Sequence, residues 1–125
     1  YSMSTVMVPL RDREELMDPS VVKVLADRKG RAIYFSRFPI PYSRGDLPDL
    51  ASNYVCKRHV GLYIYRKETL LNFMDLPASG IEKGEVLEQL RALESGIPIG
   101  IAEVNFISLG VDTPLDLEKV RQILV

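Results

Sequence analysis

The hydrophobic and polar positions of the chain form segments with two different periods, one typical of strands and one typical of helices. Apolar and β-branched residues run through 21–27 and again through 31–36, and the polar turn between them contains Gly30. Because Gly30 can adopt a positive φ, the region is predicted to form a β-hairpin. From about residue 38 to residue 56, prolines and glycines recur without a sustained period, so a long loop is predicted there.

Residues 58–65 alternate between two faces, which predicts a strand. We expect one face to be buried, and it carries Val60, Leu62 and Ile64. The opposite face would be available to a ligand, and it carries His59, Gly61, Tyr63 and Tyr65. A further strand is predicted over residues 97–104.

Three segments place apolar residues at helical spacing. These residues are Leu70, Phe73 and Met74 in the first, Val86, Leu90 and Leu93 in the second, and Leu117, Val120 and Leu124 in the third. The first helix is predicted to end at Pro77, and the second to run from about Glu82 to Gly96. The third is predicted to begin at Thr113 and Pro114. Strands interleaved with helices predict an α/β fold, with a mixed β-sheet carrying helices on its faces.

Length, composition and charge narrow the classes of function. The 125 residues, 46% of them hydrophobic, suit a single domain, and 16 basic against 17 acidic residues lack the charge excess of a nucleic-acid-binding protein. No run of apolar residues reaches the length of a membrane span, and no signal peptide is visible, so a cytoplasmic protein without membrane insertion is expected. Cys56 is the single cysteine, which excludes an internal disulfide.

Two residues of the predicted strand 58–65 are the first candidates for ligand binding. His59 and Tyr63 would lie on one face, about 13 Å apart at ~3.3 Å per residue, with Gly61 leaving a gap between them. Such a gap would admit a sugar-sized ligand. The alternative, a histidine packed among tyrosines with its ring nitrogens satisfied, is favoured by composition alone.

Four other polar residues are candidates, each with an ordinary alternative. Glu88 and Gln89 lie beside the apolar stripe of a predicted helix, where they would otherwise be solvated, with Glu88 assisting Arg91. Arg37 would bind a ligand carboxylate in bidentate geometry or pair with an acidic residue of the protein. Asp112 would cap the last helix or bind magnesium, and the cap is slightly favoured.

A more specific interpretation comes from short segments taken in order. They read Val-Lys-Val at 22–24, Ala-Ile-Tyr-Phe-Ser-Arg at 32–37, Pro-Ile-Pro-Tyr at 39–42, Arg-His-Val-Gly-Leu-Tyr at 58–63, Leu-Glu-Gln-Leu-Arg at 87–91, Gly-Val-Asp-Thr-Pro at 110–114 and Asp-Leu-Glu at 116–118. Together they make the chain, from about residue 21 to its end, resemble the 3-deoxy-manno-octulosonate cytidylyltransferases, also called CMP-KDO synthetases.

The resemblance implies a nucleotide-diphospho-sugar transferase-like fold, of the GT-A or Rossmann-like type, in a magnesium-dependent homodimeric enzyme. Such enzymes join the sugar acid KDO to CTP and release pyrophosphate, which supplies CMP-KDO for lipopolysaccharide synthesis. Carried over by position, the KDO pocket would be lined by Arg37, His59, Tyr63, Glu88 and Gln89. Asp112 would be a ligand of Mg²⁺.

Two motifs of that family do not occur in the sequence: the Ala-Arg-x-x-Ser-x-Arg-Leu-x-Gly-Lys loop that holds the nucleotide phosphates, and a later Gln-Gly-Asp. With Tyr1 in place of an initiator Met, this favours a C-terminal half, in which residues 1–125 form one sugar-binding and dimerisation portion without the CTP-binding part. Such a fragment is expected to be inactive alone. A non-catalytic binding or assembly module of the same fold, and a cytidylyltransferase for a related 2-keto sugar acid such as 8-amino-KDO, are the alternatives. Residues 1–20 and 44–57 receive no role.

Overall fold

The computed structural model describes residues 1–45, 54–106, 110–111 and 113–123, and these form one five-stranded sheet with five helices. In chain order the elements are β1 (Met3–Val8), α1 (Arg13–Met17), β2 (Lys23–Ala26), β3 (Ala32–Ser36), β4 (Lys57–Tyr65), α2 (Lys67–Asp75), α3 (Gly80–Glu85), α4 (Gln89–Glu94), β5 (Ile99–Glu103) and α5 (Pro114–Ile123). The strand order is β3-β2-β4-β1-β5, with β1 and β5 parallel and the other pairs antiparallel. The predicted α/β class with a mixed sheet is confirmed. Among these helices, none is long and apolar enough to cross a membrane.

The predicted hairpin is formed by β2 and β3, and its turn reaches β5 at the other edge of the sheet. The Asp27 carboxylate accepts hydrogen bonds from the backbone N–H groups of Lys29 and Arg31, which fixes the turn. Gly30 has a φ of +73°, and its carbonyl oxygen accepts a bond of 2.8 Å from the Ile101 N–H. The sheet therefore curves until its two edges meet at the hairpin tip.

Replacing Gly30 by alanine is expected to destabilise the fold by roughly 1–2 kcal/mol, because the left-handed backbone disfavours a Cβ atom. That atom would also lie 3.2 Å from the Ile101 carbonyl oxygen. Thermal unfolding of the two proteins measures the effect. Gly84→Ala is the matched control, since Gly84 lies in α3 with open space around its Cα, and it should leave stability equal or slightly raised. An equal loss in both variants would contradict the role given to the Gly30 turn.

Each face of the sheet has its own core. The helix-side core is covered by α4 and contains Met3, Val24, Ala32, Phe35, Leu87, Leu90, Ala92, Ile99 and Ile101. The loop-side core contains Leu10, Leu16 and Cys56, with Val21, Leu25, Ile40 and Tyr54 packed against them. The first core carries most of the buried apolar surface and therefore positions the strands.

Strand β1 and helix α1 were not predicted from the sequence. β1 lies between β4 and β5 in the sheet, so its residues reach the helix-side core although the segment is short. α1 begins after Asp12, whose side chain accepts a hydrogen bond from the Glu15 N–H. The Glu15 carboxylate in turn accepts bonds from Arg11 and from Arg58 of β4. This pairing holds the short helix against the strand.

The prediction of one unbroken helix over 82–96 is wrong, because the segment forms two short helices. Val86 separates α3 from α4 with φ 56° and ψ 50°, a left-handed conformation that a β-branched residue rarely adopts. The carbonyl oxygens of Glu85 and Val86 accept hydrogen bonds from the Arg37 guanidinium. These tertiary bonds hold the break in place, and Val86 is exposed rather than part of an apolar stripe.

The predicted end of the first helix and the predicted start of the last helix are confirmed, but both helices bury less than expected. α2 ends before Pro77, yet it has no fully buried residue, and of its predicted apolar face only Phe73 contacts the helix-side core. Leu70 and Met74 are exposed. α5 begins at Pro114 with Thr113 and Asp116 bonded to each other as a helix cap, while Leu124 lies outside the described residues.

The predicted strand 58–65 is confirmed as β4, but its faces were assigned the wrong way round. His59 is buried, whereas Leu62 is 57% exposed and Ile64 is 71% exposed. The register between β1 and β4 shifts between Thr5 and Val6, where two extra residues of β4 bulge out. The more apolar face is therefore the exposed one, and the face with the histidine and tyrosines packs on the helix-side core.

β4 is paired along only part of its second side. β2 pairs with it at Lys57 and Arg58, and the His59 N–H donates to the Val22 carbonyl oxygen. From Val60 to Tyr65, β4 pairs with β1 but has no strand partner on its other side within the described part of the chain. We call this stretch the open side of β4.

Candidate functional site

Rings on the helix-side face of β4 form a continuous row. The centroids of Phe35 and His59 are 4.9 Å apart, and those of His59 and Tyr63 are 5.5 Å apart. The row continues through Tyr65, 5.8 Å from Tyr63, to Phe73 of α2 at 6.3 Å. This aromatic row brings two of the predicted KDO-binding residues, His59 and Tyr63, side by side.

Glu88, directly before α4, lies close enough to the row for its charge to act on two of the tyrosines. Burial raises the pKa values of Tyr63 and Tyr65, and the negative charge of Glu88 raises both further. Glu88 itself is exposed, whereas Gln89, the next residue, is buried. The tyrosine hydroxyls therefore stay protonated and can donate hydrogen bonds, and the Glu88 carboxylate can accept them.

His59 is held inside this cluster as a neutral ring. Its Nε2 atom lies 2.9 Å from the Thr5 Oγ1 atom, and burial lowers the pKa of the imidazole to about 4. A buried and satisfied histidine is the alternative that composition favoured. A role in binding the sugar stays a prediction for this residue.

Stability is expected to decrease as the pH falls from about 6.5 to about 4, because of His59. In this range the unfolded chain binds a proton at the ring and the folded chain does not, so the free energy of unfolding falls by up to about 3 kcal/mol. Above pH 6.5 this contribution is constant. Chemical unfolding of the protein and of His59→Gln at several pH values measures it as the difference between them. The same pH dependence in both proteins would contradict it.

Arg37 follows β3 and forms hydrogen bonds to backbone groups of the protein. Its guanidinium donates to the carbonyl oxygens of Glu85, Val86 and Pro19, and its backbone N–H donates to the Glu85 carboxylate. The structure therefore gives Arg37 a role in joining β3 to the α3–α4 junction, which is directly followed by Glu88. Binding a ligand carboxylate stays a prediction for the N–H groups that these bonds do not use.

Arg91 forms its side-chain hydrogen bonds with Glu82 and not with Glu88, the partner that the helical spacing had suggested. Its guanidinium donates two hydrogen bonds, of 2.8 and 2.6 Å, to the Glu82 carboxylate and lies over the ring of Phe73. The bonds from Arg91 hold the pKa of Glu82 at about 2. Glu82 also completes a capping box with Ser79, so α3, α4 and α2 are tied together beside the aromatic row. Glu88 is left free to act elsewhere.

Asp112, the predicted Mg²⁺ ligand, lies outside the described residues. Among the residues that are described, no group of three or more His, Cys, Asp and Glu side chains could hold a metal ion. A cavity of about 540 Å³ lies between α1, β4 and α5, and Gly110 borders it. Of the described residues that were predicted for the site, only His59 lines this cavity.

Two residues of the cluster were missed as site residues. Tyr65 was predicted to share a face with His59 and Tyr63 but was given no role, although the Glu88 charge acts on it as on Tyr63. Thr5 lies 54 positions before His59, and no spacing rule connects the two. The apolar and β-branched composition of residues 3–8 is a signal that could have predicted β1, but the contact itself requires the fold.

Comparisons with known proteins identify the family of the chain. The model of a family described as "Cytidylyltransferase" matches residues 1–102. Relatives named 3-deoxy-manno-octulosonate cytidylyltransferase include those of Syntrophotalea carbinolica, 50% identical over 95% of this chain and 49% of its own length, and of Solibacter usitatus, 47% identical over 97% and 46%. The relative from Nitrosococcus oceani is 47% identical over 98% of this chain and 50% of its own.

A solved structure gives the same result for the fold. The structure of a CMP:2-keto-3-deoxy-manno-octonic acid synthetase complexed with CTP superposes with a TM-score of 0.86 at 41% identity, covering 98% of this chain and 48% of that one. Sheet and helices thus define an α/β chain with a nucleotide-sugar transferase fold. The chain belongs to the cytidylyltransferase family. It spans about half the length of the curated relatives that it matches.

Proposed function

We propose that this chain is the C-terminal, sugar-binding part of an enzyme that transfers CMP from CTP to the sugar acid KDO. In this reaction the anomeric hydroxyl of KDO attacks the α-phosphorus of CTP, a new oxygen–phosphorus bond forms, and pyrophosphate leaves. The product, CMP-KDO, would serve lipopolysaccharide synthesis. Residues 1–125 would form one domain portion, and the CTP site would be completed by residues outside this chain.

The observation that carries the proposal is the joint position of His59, Tyr63 and Glu88. Glu88 follows the other two residues by 25 or more positions, yet the fold brings a neutral ring, a protonated hydroxyl and a carboxylate to one neighbourhood. This combination of donors and acceptors suits a polyhydroxylated ligand. Relatives called 3-deoxy-manno-octulosonate cytidylyltransferase are 43–50% identical to this chain over nearly its whole length, which supports KDO as that ligand.

Three further features belong to the proposal. Asp112 would hold Mg²⁺, which supplies charge neutralisation on the phosphates of CTP when it is bound. A homodimer would form through the hairpin and the segment after it, where Ile33, Phe38 and Tyr42 are 57%, 74% and 89% exposed. We place the enzyme in the cytoplasm, where its nucleotide substrate is available, and expect neither nucleic acid nor a membrane as a partner.

A chimera tests the proposal. The first half of the Syntrophotalea carbinolica relative is joined to this chain, and pyrophosphate release is measured with CTP, KDO and magnesium. The chimera is expected to turn over, while this chain alone stays at background, because nucleotide positioning and charge neutralisation carry the transfer. In the chimera, Tyr63→Phe should raise the KM for KDO about tenfold or more with the KM for CTP unchanged, since one hydrogen bond is lost and the ring remains.

Leu62→Ala is the matched control for Tyr63→Phe, because Leu62 is the neighbouring residue on the exposed face of β4. It should leave both KM values unchanged. A folded chimera without turnover would refute the proposed reaction, and robust turnover by this chain alone would refute the division of the site. Preference for 8-amino-KDO over KDO would establish the alternative acceptor. A folded chimera that shows no KDO binding and no turnover would favour a non-catalytic module.

A further inference from the structure

The Thr5 hydroxyl group is surrounded by three polar atoms. Its Oγ1 atom lies 2.8 Å from the Leu62 carbonyl oxygen, 3.2 Å from the Val60 carbonyl oxygen and 2.9 Å from the His59 Nε2 atom. The two carbonyl oxygens belong to the bulge of β4 and can only accept hydrogen bonds. The ring nitrogen can either donate or accept.

The single proton of the Thr5 hydroxyl decides how these contacts are satisfied. If it pointed to Nε2, the carbonyl oxygens of Leu62 and Val60 would both face the lone pairs of Oγ1 at hydrogen-bond distance. If it points to the Leu62 carbonyl, Oγ1 is free to accept, and Nε2 must carry the ring proton. The second arrangement satisfies the two shorter contacts, whereas the first satisfies only one, and the second leaves Nδ1 of His59 without a proton in the neutral ring.

The unprotonated Nδ1 remains available to a ligand. Within the described residues, no group forms a hydrogen bond with Nδ1. Every fully buried side-chain nitrogen or oxygen atom among these residues has a hydrogen-bond partner, so Nδ1 is not one of the fully buried atoms. Nδ1 therefore keeps contact with solvent although the ring as a whole is buried. A lone pair in this position accepts a hydrogen bond from a hydroxyl.

We propose that Thr5 is a positioning residue, which fixes His59 in the Nε2–H tautomer so that Nδ1 accepts a hydrogen bond from a ligand hydroxyl. This inference rests on the proposed function for the identity of the ligand, a hydroxyl group of the sugar acid. The tautomer itself follows from the geometry of this chain alone. Thr5 and the bulge of β4 thus form one unit that orients the ring.

Nitrogen NMR of this chain tests the tautomer directly. His59 is the single histidine of the sequence, so in a chain labelled with ¹⁵N-histidine and freed of any tag both ring signals are unambiguous. At pH 7.5, Nε2 is expected to show the shift of a protonated nitrogen and Nδ1 that of an unprotonated one. Thr5→Val should mix or invert the tautomers, whereas Thr5→Ser should keep them. Ser4→Ala, on the opposite face of β1, is the control without effect.

Kinetics of the chimera test the consequence for the ligand. Thr5→Val is expected to raise the KM for KDO about tenfold with the KM for CTP unchanged, and Thr5→Ser should restore it to within about twofold. A protonated Nδ1 in the unsubstituted chain would overturn the inference, whatever the enzyme does. A tautomer that shifts in Thr5→Val without any change in the KM for KDO would overturn the part played by Nδ1. The expected NMR result in a chain that does not bind KDO would instead count against the proposed function.

Discussion

Changing Asp112 to asparagine in the chimera is expected to lower turnover on the order of a hundredfold, with a much smaller effect on the KM for KDO. The change keeps the shape of the side chain but removes its negative charge, and hard cations such as Mg²⁺ prefer carboxylate oxygens. Losing one group that stabilises developing charge costs about 10²–10³ in turnover in other enzymes. Steady-state kinetics across a magnesium titration measure the effect.

Glu118→Gln is the control for this prediction. It neutralises another acidic residue of the same segment, one that is exposed and bonded only loosely to Arg121, at 3.5 Å. Turnover of the control should match that of the parent chimera at every magnesium concentration. If Asp112→Asn is equally active at limiting magnesium, then Asp112 is a residue at the end of a helix and no metal ligand.

Replacing Glu85 by alanine is expected to destabilise the chain by about 3 kcal/mol, the largest loss among the changes considered. The Glu85 carboxylate accepts hydrogen bonds from the Ser36 hydroxyl at 2.6 Å, the Arg37 backbone N–H at 2.9 Å and the Tyr34 hydroxyl at 3.1 Å. Burial alone would raise the pKa of Glu85, but these bonds hold it below its usual value. Each donor left unpaired in a buried place costs roughly 1–3 kcal/mol.

Denaturant unfolding of three variants separates this role from general effects on helices. Glu85→Gln keeps an acceptor oxygen and should lose about half as much stability as Glu85→Ala. Glu94→Ala removes an exposed carboxylate whose only described bond is a long one, 3.4 Å from the Ile81 N–H, and should lose little. Similar losses in Glu85→Ala and Glu94→Ala would show that the carboxylate does not hold β3 to the α3–α4 junction.

The hairpin and the helix ends could be predicted because their causes are local. A turn with Gly30, a proline after α2 and the Thr113–Asp116 cap act within a few residues of chain. The break at Val86 could not be predicted in this way. Arg37, which lies 49 positions earlier, holds the carbonyl oxygen of Val86, and only the folded sheet brings the two together.

Strand β4 shows why hydrophobicity alone assigned the buried and exposed faces the wrong way round. Leu62 and Ile64 are more apolar than His59 and Tyr63, so the alternation placed them inside. A histidine and tyrosines can nevertheless form the buried face where rings stack and hydroxyls find partners. The resemblance to a known family named His59, Tyr63, Glu88 and Gln89, but it did not show that Thr5 holds the ring.

The open side of β4 has a consequence for how a further strand would pair with this sheet. From Val60 to Tyr65 the strand presents backbone N–H and C=O groups on this side, which are the same for every amino acid except proline. A strand added here would be recognised chiefly through its main chain. Pairing of this kind depends little on side chains, so it places few constraints on the sequence of the added strand.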